Sequence, residues 1–182
     1  MSNIEHRLAQ LGIELPETSA PVANYVPAVL FRGTLTLSGQ LPRSEMGLIK
    51  GQIGSNLSVE EGVEAARLCA IALLATAKSA LGGNLDRIEQ CLTLSGFVNA
   101  VPGFEAHPQV INGASDLLVE VLGEVGRHCR VALARRRFPA ADRGPGADKQ
   151  GTTPTGSTQP ARSTHTLNID SSVSHYPGPV ET

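Results

Sequence analysis

The sequence feature that most constrains the fold is a capped helix that begins just after Ser58. Glu61 follows three residues later, and this spacing is typical of a capping box, in which each side chain bonds the other residue's backbone amide. Apolar residues recur at helical spacing as far as Leu81, and many are alanines, so the helix can lie close against a sheet. Gly82 and Gly83 then favour a left-handed C-cap. The fold must therefore bury one long helix against a second layer.

The residues before this helix predict a β-hairpin followed by a loop. Residues 28–31 form a continuous apolar run, and residues 34–38 alternate between leucine and hydroxyl side chains. Arg-Gly at 32–33 is a tight-turn signal, so the two segments are expected to pair as antiparallel strands. Residues 42–54 contain three glycines and a proline. They predict a long loop with a short hairpin at 48–52.

The residues after the helix predict a long strand and a second helix. Residues 86–99 are expected to form a strand whose faces consist of Ile88, Leu92, Leu94 and Val98 on one side and Cys91, Thr93 and Phe97 on the other. A helical stripe occupies residues 108–122, and residues 130–133 are expected to begin another strand. Residues 4–11 predict a short amphipathic helix at the N-terminus.

This order of elements, β-β-α-β-α with a strand to follow, predicts an α+β domain. Because aromatic residues make up only 3 % of the chain, Leu, Val, Ile and Ala must fill its core. The net charge of −2 lacks the basic excess typical of nucleic-acid binders, so a nucleic-acid partner is not expected. No signal peptide and no bilayer-spanning segment is recognisable, so we expect a cytoplasmic protein without a membrane partner.

The three cysteines, Cys69, Cys91 and Cys129, are widely spaced, and none belongs to a CxxC pair. A disulfide framework or a zinc site is therefore not expected. We interpret each cysteine as a small, buried apolar side chain, since free cysteine is among the most buried residue types.

The composition changes at residue 135. From there to residue 182, Pro, Gly, Thr, Ser and charged residues dominate, with too few apolar side chains to offset the ordering entropy of the chain. We therefore expect a folded domain at 1–134 and a mostly disordered, low-complexity tail at 135–182. A weakly paired strand at 166–173 is the minor alternative.

Six short stretches occur in the order found in one protein family. They are 23–28 (ANYVPA), 37–42 (LSGQLP), 58–74 (SVEEGVEAARLCAIALL), 96–99 (GFVN), 110–117 (VINGASDL) and 126–130 (GRHCR). Each is weak alone, but the ordered set is specific. The core of the chain, residues 15–133, thus resembles the RidA/YjgF reactive-intermediate deaminases, in the subgroup known as endoribonuclease L-PSP or chorismate mutase-like.

This resemblance implies a chorismate mutase-like mixed β-sheet with two helices packed on one face. It also implies a homotrimer with ligand clefts between subunits. In deaminating members of the family, each cleft hydrolyses an enamine or imine, such as 2-aminoacrylate, to a 2-keto acid and ammonia. An arginine holds the substrate carboxylate and a glutamate on the last strand orients water. Neither a metal nor an organic cofactor takes part.

The resemblance assigns site residues unevenly. Arg130 matches the catalytic, carboxylate-binding arginine, and a guanidinium suits that role because it binds a carboxylate with two parallel hydrogen bonds. Tyr25, Gly39 and Asn112 match residues that line the substrate cleft. The alternatives are a surface arginine, a packed tyrosine, a strand-ending glycine and an asparagine that is either a helix cap or solvated. Two further candidates rank lower: Arg127 as a rival arginine, and His128, which we interpret as a surface residue rather than a general base.

The chain departs from the family pattern after Arg130. The residues that follow show no strand alternation and no matching glutamate, and Glu181 lies at the far terminus. We hypothesise that a shifted reading frame or a replaced terminus begins near Arg130, so that the last strand or strands are altered or missing. Unpaired strand edges would then favour a weakly folded, aggregation-prone chain with impaired activity.

Three functions follow from this reasoning. The first is an impaired RidA-like deaminase, which is a hydrolase. The alternative is a non-catalytic trimer that binds small keto or amino acids through Arg130. An endoribonuclease is less favoured, because the folded part lacks a basic stripe with interleaved aromatic residues. A chorismate mutase would rest on fold analogy alone.

Overall fold

The computed structural model describes residues 3–18, 24–134 and the backbone of 168–175. Three α-helices lie in the first two ranges: α1 (Asn3–Gln10), α2 (Val59–Ala80) and α3 (His107–Leu122). Short 3-10 turns follow α2 at Leu85–Arg87 and α3 at Gly123–Gly126. These bounds agree with the helices expected at residues 4–11, after Ser58 and at residues 108–122.

Seven strands accompany these helices: β1 (Ala28–Phe31), β2 (Thr34–Gln40), β3 (Arg43–Ser44), β4 (Gly47–Leu48), β5 (Ile88–Val98), β6 (Cys129–Ala134) and β7 (Asn168–His175). Five of them form one sheet in the order β1-β2-β7-β5-β6, whereas β3 and β4 form a separate hairpin. Only β5 and β6 pair in parallel, so the sheet is mixed. The small hairpin lies earlier than the 48–52 expected from sequence.

The capping box predicted for α2 is present. The Glu61 amide donates to Ser58 Oγ at 3.1 Å, and the Ser58 amide donates to Glu61 Oε2 at 2.7 Å. These bonds satisfy two of the amides that a helix start leaves without partners. At the N-terminus of α1, Asp86 accepts from the amides of Asn3 and Ile4 at 2.7 and 2.9 Å, which ties that helix to the loop before β5.

Helices α2 and α3 pack side by side on one face of the sheet, as expected for a chorismate mutase-like α+β fold. Gly113 sets their spacing, because a Cβ atom at this position would lie 2.8 Å from the carbonyl carbon of Val63. The shared core consists of aliphatic side chains from both helices and the sheet, including Leu35, Leu73, Leu94, Val110, Ile111 and Val121. Helix α3 is thereby fixed against both α2 and the sheet.

One face of β5 differs from its prediction. Cys91 is buried with Ile88, Leu94 and Val98, whereas Leu92 is 40 % exposed. The pairing of β5 with β7 is irregular between Ile88 and Gln90 and between Cys91 and Thr93. Each irregularity shifts the alternation by one residue, so the strict two-residue period assumed from sequence fails there.

The sheet also contains a strand from the segment that was expected to be a disordered tail. Backbone pairing places Asn168–His175 between β2 and β5, antiparallel to both. The minor alternative of a strand at 166–173 thus agrees with the structure in location, and the expectation of disorder is wrong there. Residues 135–167 and 176–182 lie outside the described residues, so the tail and domain boundaries expected there stay predictions.

The opposite face of the sheet carries apolar side chains that none of the described helices covers. Register and burial place Val29 and Phe31 on this face of β1, and Val131 and Leu133 on this face of β6. Leu92 of β5 joins them. Among the described helices, none has the length and apolar character needed to cross a membrane.

Candidate functional site

Arg130 lies on β6, the edge strand of the sheet, and points to the side on which the helices pack. Its register partner on β5 is the buried Leu94, which faces the helices. Arg130 Nη1 donates to Asn112 Oδ1 at 2.7 Å and to Ser115 Oγ at 3.2 Å. Both acceptors belong to α3, three residues apart and therefore on one helix face. The arginine and asparagine predicted from sequence thus lie in direct contact.

The hydrogen bonds continue from Ser115 to His128. Ser115 Oγ lies 3.0 Å from His128 Nε2, and His128 Nδ1 lies 2.6 Å from the carbonyl oxygen of Gly126. Because that carbonyl can only accept, Nδ1 must carry a hydrogen. We name Asn112, Ser115, His128 and Arg130 the arginine cluster. It joins α3 to β6 through side chains that are exposed or half-buried.

Close backbone packing holds the frame of this cluster. Gly113, the neighbour of Asn112, packs directly against α2. A Cβ atom at Gly126 would lie 2.8 Å from the carbonyl carbon of Leu118, so the turn that supplies the carbonyl bonded by His128 rests on the backbone of α3. Gln90 Nε2 of β5 also donates to the Arg127 carbonyl. These contacts hold both α3, which carries Asn112 and Ser115, and the turn that His128 bonds.

The structure separates the two rival arginines. Arg127 Nε donates to Glu124 Oε2 at 2.9 Å in an exposed ion pair. Among the described residues, Arg130 has no carboxylate partner, and neither its Nη2 nor its Nε has a hydrogen-bond acceptor. No described residue would therefore compete with an anion for this edge of Arg130, whereas at Arg127 an anion would compete with Glu124.

Tyr25 and Gly39 lie far from Arg130 within one chain. Tyr25 precedes β1 and is 53 % exposed, and Gly39 lies in β2 where the pairing with β7 becomes irregular. Three strand spacings of roughly 4.8 Å separate β2 from β6, which makes about 14 Å. A small ligand cannot bridge this distance. The structure thus brings Arg130 and Asn112 together but not Tyr25 and Gly39 with them.

Two members of the arginine cluster, Ser115 and His128, were not predicted from the sequence to belong to the site. His128, expected to be a surface residue, is half-buried and bonded through both ring nitrogens, and Ser115 was not considered. Ser115 could have been found from its spacing, since residues three apart on a predicted helix share a face with Asn112. His128 had no local signal, because its contacts depend on how the turn after α3 packs.

The cysteines differ from one another. Cys69 and Cys91 are buried as predicted, but Cys129 is exposed because it begins the edge strand β6. Burial raises the pKa of the Cys69 thiol and raises that of Cys91 to about 11. Within residues 3–18 and 24–134, no group of three His, Cys, Asp or Glu side chains is placed to hold a metal ion.

The chain is similar to one protein family over most of its length. Residues 5–142 match the family model described as "YjgF/chorismate mutase-like, putative endoribonuclease". Protein TCP17 of Trypanosoma cruzi is 45 % identical over 134 residues, which cover 72 % of this chain and 83 % of that protein.

Two solved structures are similar over nearly the whole chain. The protein Atu1372 of Agrobacterium tumefaciens, whose function is unknown, is 35 % identical with a TM-score of 0.73, covering 94 % of this chain and 91 % of that one. A protein of Shewanella oneidensis named as an endoribonuclease is 31 % identical with a TM-score of 0.76, covering 94 % and 98 %. With a family match over more than half of its length, the chain belongs to the RidA/YjgF (YjgF/chorismate mutase-like) family.

Proposed function

We propose that this protein is an imine or enamine deaminase of the RidA type, with Arg130 as the group that holds the substrate carboxylate. The observation that carries the proposal is the state of that guanidinium. Asn112 and Ser115 hold Nη1, while Nη2 and Nε have no partner among the described residues. Those two nitrogens form the edge of the guanidinium fork that matches a carboxylate.

The reaction would follow from such binding. Water adds to the carbon of a 2-imino acid's C=N bond, and the resulting carbinolamine expels ammonia to leave a 2-keto acid. An enamine substrate first takes a proton on carbon to become the imine. Arg130 would hold the carboxylate and so fix the reacting carbon in the cleft, which is the contribution of substrate positioning to catalysis.

The proposed assembly is a homotrimer. Within one chain Tyr25 and Gly39 lie at least three strand spacings from Arg130, so a cleft that uses all of them must take them from two copies. The uncovered apolar side chains of β1, β5 and β6 offer a surface for such contact, since exposed apolar patches mark association sites. This proposal retains Tyr25, Gly39, Asn112 and Arg130 as substrate-binding residues.

A second candidate, binding without turnover, is favoured because the chain has no counterpart of the water-orienting glutamate that the family resemblance implies. The sequence contains no glutamate between Glu124 and Glu181, and Asp170 is the one acidic residue of β7. A trimer of this kind would bind 2-keto or amino acids through Arg130 and release them unchanged. Impaired hydrolysis and binding alone differ only in whether ammonia is released.

The two arginines provide a matched test of both candidates. An imine is generated in situ from an amino acid, and release of ammonia and keto acid is compared with the spontaneous rate. We expect Arg130→Gln to weaken any acceleration about tenfold to a hundredfold, since hydrogen bonds to charged groups contribute about 1.5–3 kcal/mol. Arg127→Gln, which removes an equal charge three residues away, should leave it unchanged.

The outcomes separate the candidates. Acceleration that is lost in Arg130→Gln but kept in Arg127→Gln supports the deaminase. If the single variant Asp170→Asn also loses it, Asp170 takes the place of the water-orienting glutamate. Saturable binding of 2-oxobutanoate without acceleration supports the second candidate. If neither acceleration nor binding depends on Arg130, both are wrong.

A further inference from the structure

The Ser115 hydroxyl stands between two groups that fix the direction of every hydrogen bond in the arginine cluster. Arg130 Nη1 can only donate, so Ser115 Oγ accepts from it. His128 Nδ1 carries a hydrogen because it faces the Gly126 carbonyl, which leaves Nε2 of the neutral ring as an acceptor. The single hydroxyl hydrogen of Ser115 therefore points to His128.

We infer that Ser115 and His128 are positioning residues that orient the Arg130 guanidinium toward its ligand. The inference rests on the proposed carboxylate-binding role of Arg130. Nη1 carries two hydrogens, and Asn112 and Ser115 each accept one. Both Nη1 hydrogens thus bond to side chains of α3, which leaves the three hydrogens on Nη2 and Nε for a ligand.

His128 acts on Arg130 only through Ser115. Without an acceptor at Nε2, the hydroxyl of Ser115 would rotate freely, and its hydrogen would spend part of the time directed toward the positive guanidinium. The bond from Nη1 would then weaken. Since the bonds run in one direction from Arg130 to the Gly126 carbonyl, each one also polarises the next.

The benefit of this arrangement is pre-organisation. Arg130 is exposed on an edge strand, and an arginine in that place would ordinarily sample many rotamers. Holding Nη1 in advance reduces the freedom that remains to be lost when a carboxylate binds. Asn112 alone fixes one hydrogen, whereas the two acceptors together fix the plane of the guanidinium.

Binding of 2-oxobutanoate to the full chain tests the inference, with the dissociation constant measured by titration. We expect Ser115→Ala and His128→Leu each to weaken binding about threefold to tenfold, the cost expected when an arginine side chain that is no longer held in advance must be immobilised on binding. Ser115→Thr keeps the hydroxyl, and His128→Gln offers an amide oxygen near the place of Nε2. Both conservative variants should bind within about twofold of the unmodified protein.

A double-mutant cycle separates positioning from a general structural role. If Ser115 acts through Arg130, adding Ser115→Ala to Arg130→Gln should produce no further loss of affinity. An equal loss in both backgrounds would overturn the inference, as would full affinity in Ser115→Ala and His128→Leu.

A readout without ligand keeps the inference testable if 2-oxobutanoate does not bind. Nitrogen-15 NMR of arginine-labelled protein reports guanidinium rotation, and the signal of Arg130 is assigned by its loss in Arg130→Gln. We expect slow rotation in the unmodified protein and in Ser115→Thr, and faster rotation in Ser115→Ala and His128→Leu. This pattern without binding would refute the proposed function and support the positioning role. Equal rotation in every protein would refute the positioning role.

Discussion

Substitution of Gly113 by alanine should destabilise the protein although alanine is the better helix former. The new Cβ would lie 2.8 Å from the carbonyl carbon of Val63 and would also crowd that residue's carbonyl oxygen. Overpacking typically costs about 1–3 kcal/mol, and the upper end applies here because backbone atoms of a second helix cannot move aside. The higher helix propensity of alanine offsets about 1 kcal/mol of this cost, so the free energy of unfolding should fall by about 2 kcal/mol.

Gly62→Ala provides the matched control. Gly62 is also a buried helical glycine, but its Cβ would meet side chains: the tip of Ile53, and Cγ1 of Val110 at 3.3 Å. An isoleucine side chain can shift, so the cost should be about 1 kcal/mol and should roughly cancel the gain in propensity. The difference between the two variants is therefore about 2 kcal/mol.

Thermal unfolding at a single protein concentration measures this difference. For a chain of this size, about 2 kcal/mol corresponds to a Tm lower by roughly 4–8 °C in Gly113→Ala than in Gly62→Ala. The concentration must be fixed because association would itself stabilise the fold. Equal melting temperatures, or a more stable Gly113→Ala, would refute the argument that helix contact at Gly113 sets the position of α3.

Three smaller perturbations follow from the helix cap and the thiols. Ser58→Ala should lower the free energy of unfolding by about 1 kcal/mol, measured by urea denaturation, and Ser58→Asp should retain most of it; no change would mean that the cap with Glu61 is not formed. A thiol reagent should modify the exposed Cys129 first and reach Cys69 and Cys91 only on unfolding, so reaction of all three at one rate would contradict their burial. Burial raises the pKa of the Cys91 thiol to about 11. The contribution of this thiol to the free energy of unfolding should therefore be fully present below its pKa in the unfolded chain, about 8.5, and should be lost as pH rises toward 11. Cys91→Ala should reduce that fall between pH 8 and 10, and an unchanged pH profile would argue against it.

The parts of the fold that the sequence predicts well depend on neighbouring residues. The start of α2 follows from Ser58 and Glu61, and the bounds of α3 follow from its apolar stripe, since both patterns act within a few turns of the chain. The faces of β5 were partly wrong for the opposite reason. Whether Cys91 or Leu92 turns inward depends on irregular pairing with β7, a strand far away along the chain.

The residues of the candidate site also fall into two groups, those that a local motif predicts and those that depend on distant packing. Arg130 and Asn112 could be predicted because each sits in a recognisable motif, and their contact follows once α3 lies beside β6. Ser115 and His128 form a pair that depends on the turn at Gly123–Gly126, and no residue pattern encodes its packing against α3. A cleft that joins Tyr25 to Arg130 would lie between copies, so it is not a property of one chain.

The strand β7 provides the most demanding test of the fold. Its sequence, with Asn168, Asp170 and three serines, has low β-propensity. A tail was predicted here because residues 135–182 contain too few apolar side chains to offset the ordering entropy. Yet β7 lies inside the sheet rather than at its edge, and it pairs with both β2 and β5. Pairing on both sides, rather than local propensity, must therefore keep it there.

Removing β7 should consequently be far more damaging than removing an edge strand. A chain that ends at Ala134 would leave two facing rows of backbone amides and carbonyls without partners, on β2 and β5. Buried unpaired groups cost about 1–3 kcal/mol each, so a few of them exceed a total stability of about 5–15 kcal/mol.

A chain that ends at His175 keeps the strand and is the control. We expect light scattering to show one defined mass for the control and for the full chain, and heterogeneous aggregate for the shorter chain. If the chain ending at Ala134 has the same mass state and melting temperature as the control, β7 contributes nothing to the fold, and the core at 1–134 closes its sheet by pairing β2 with β5 directly.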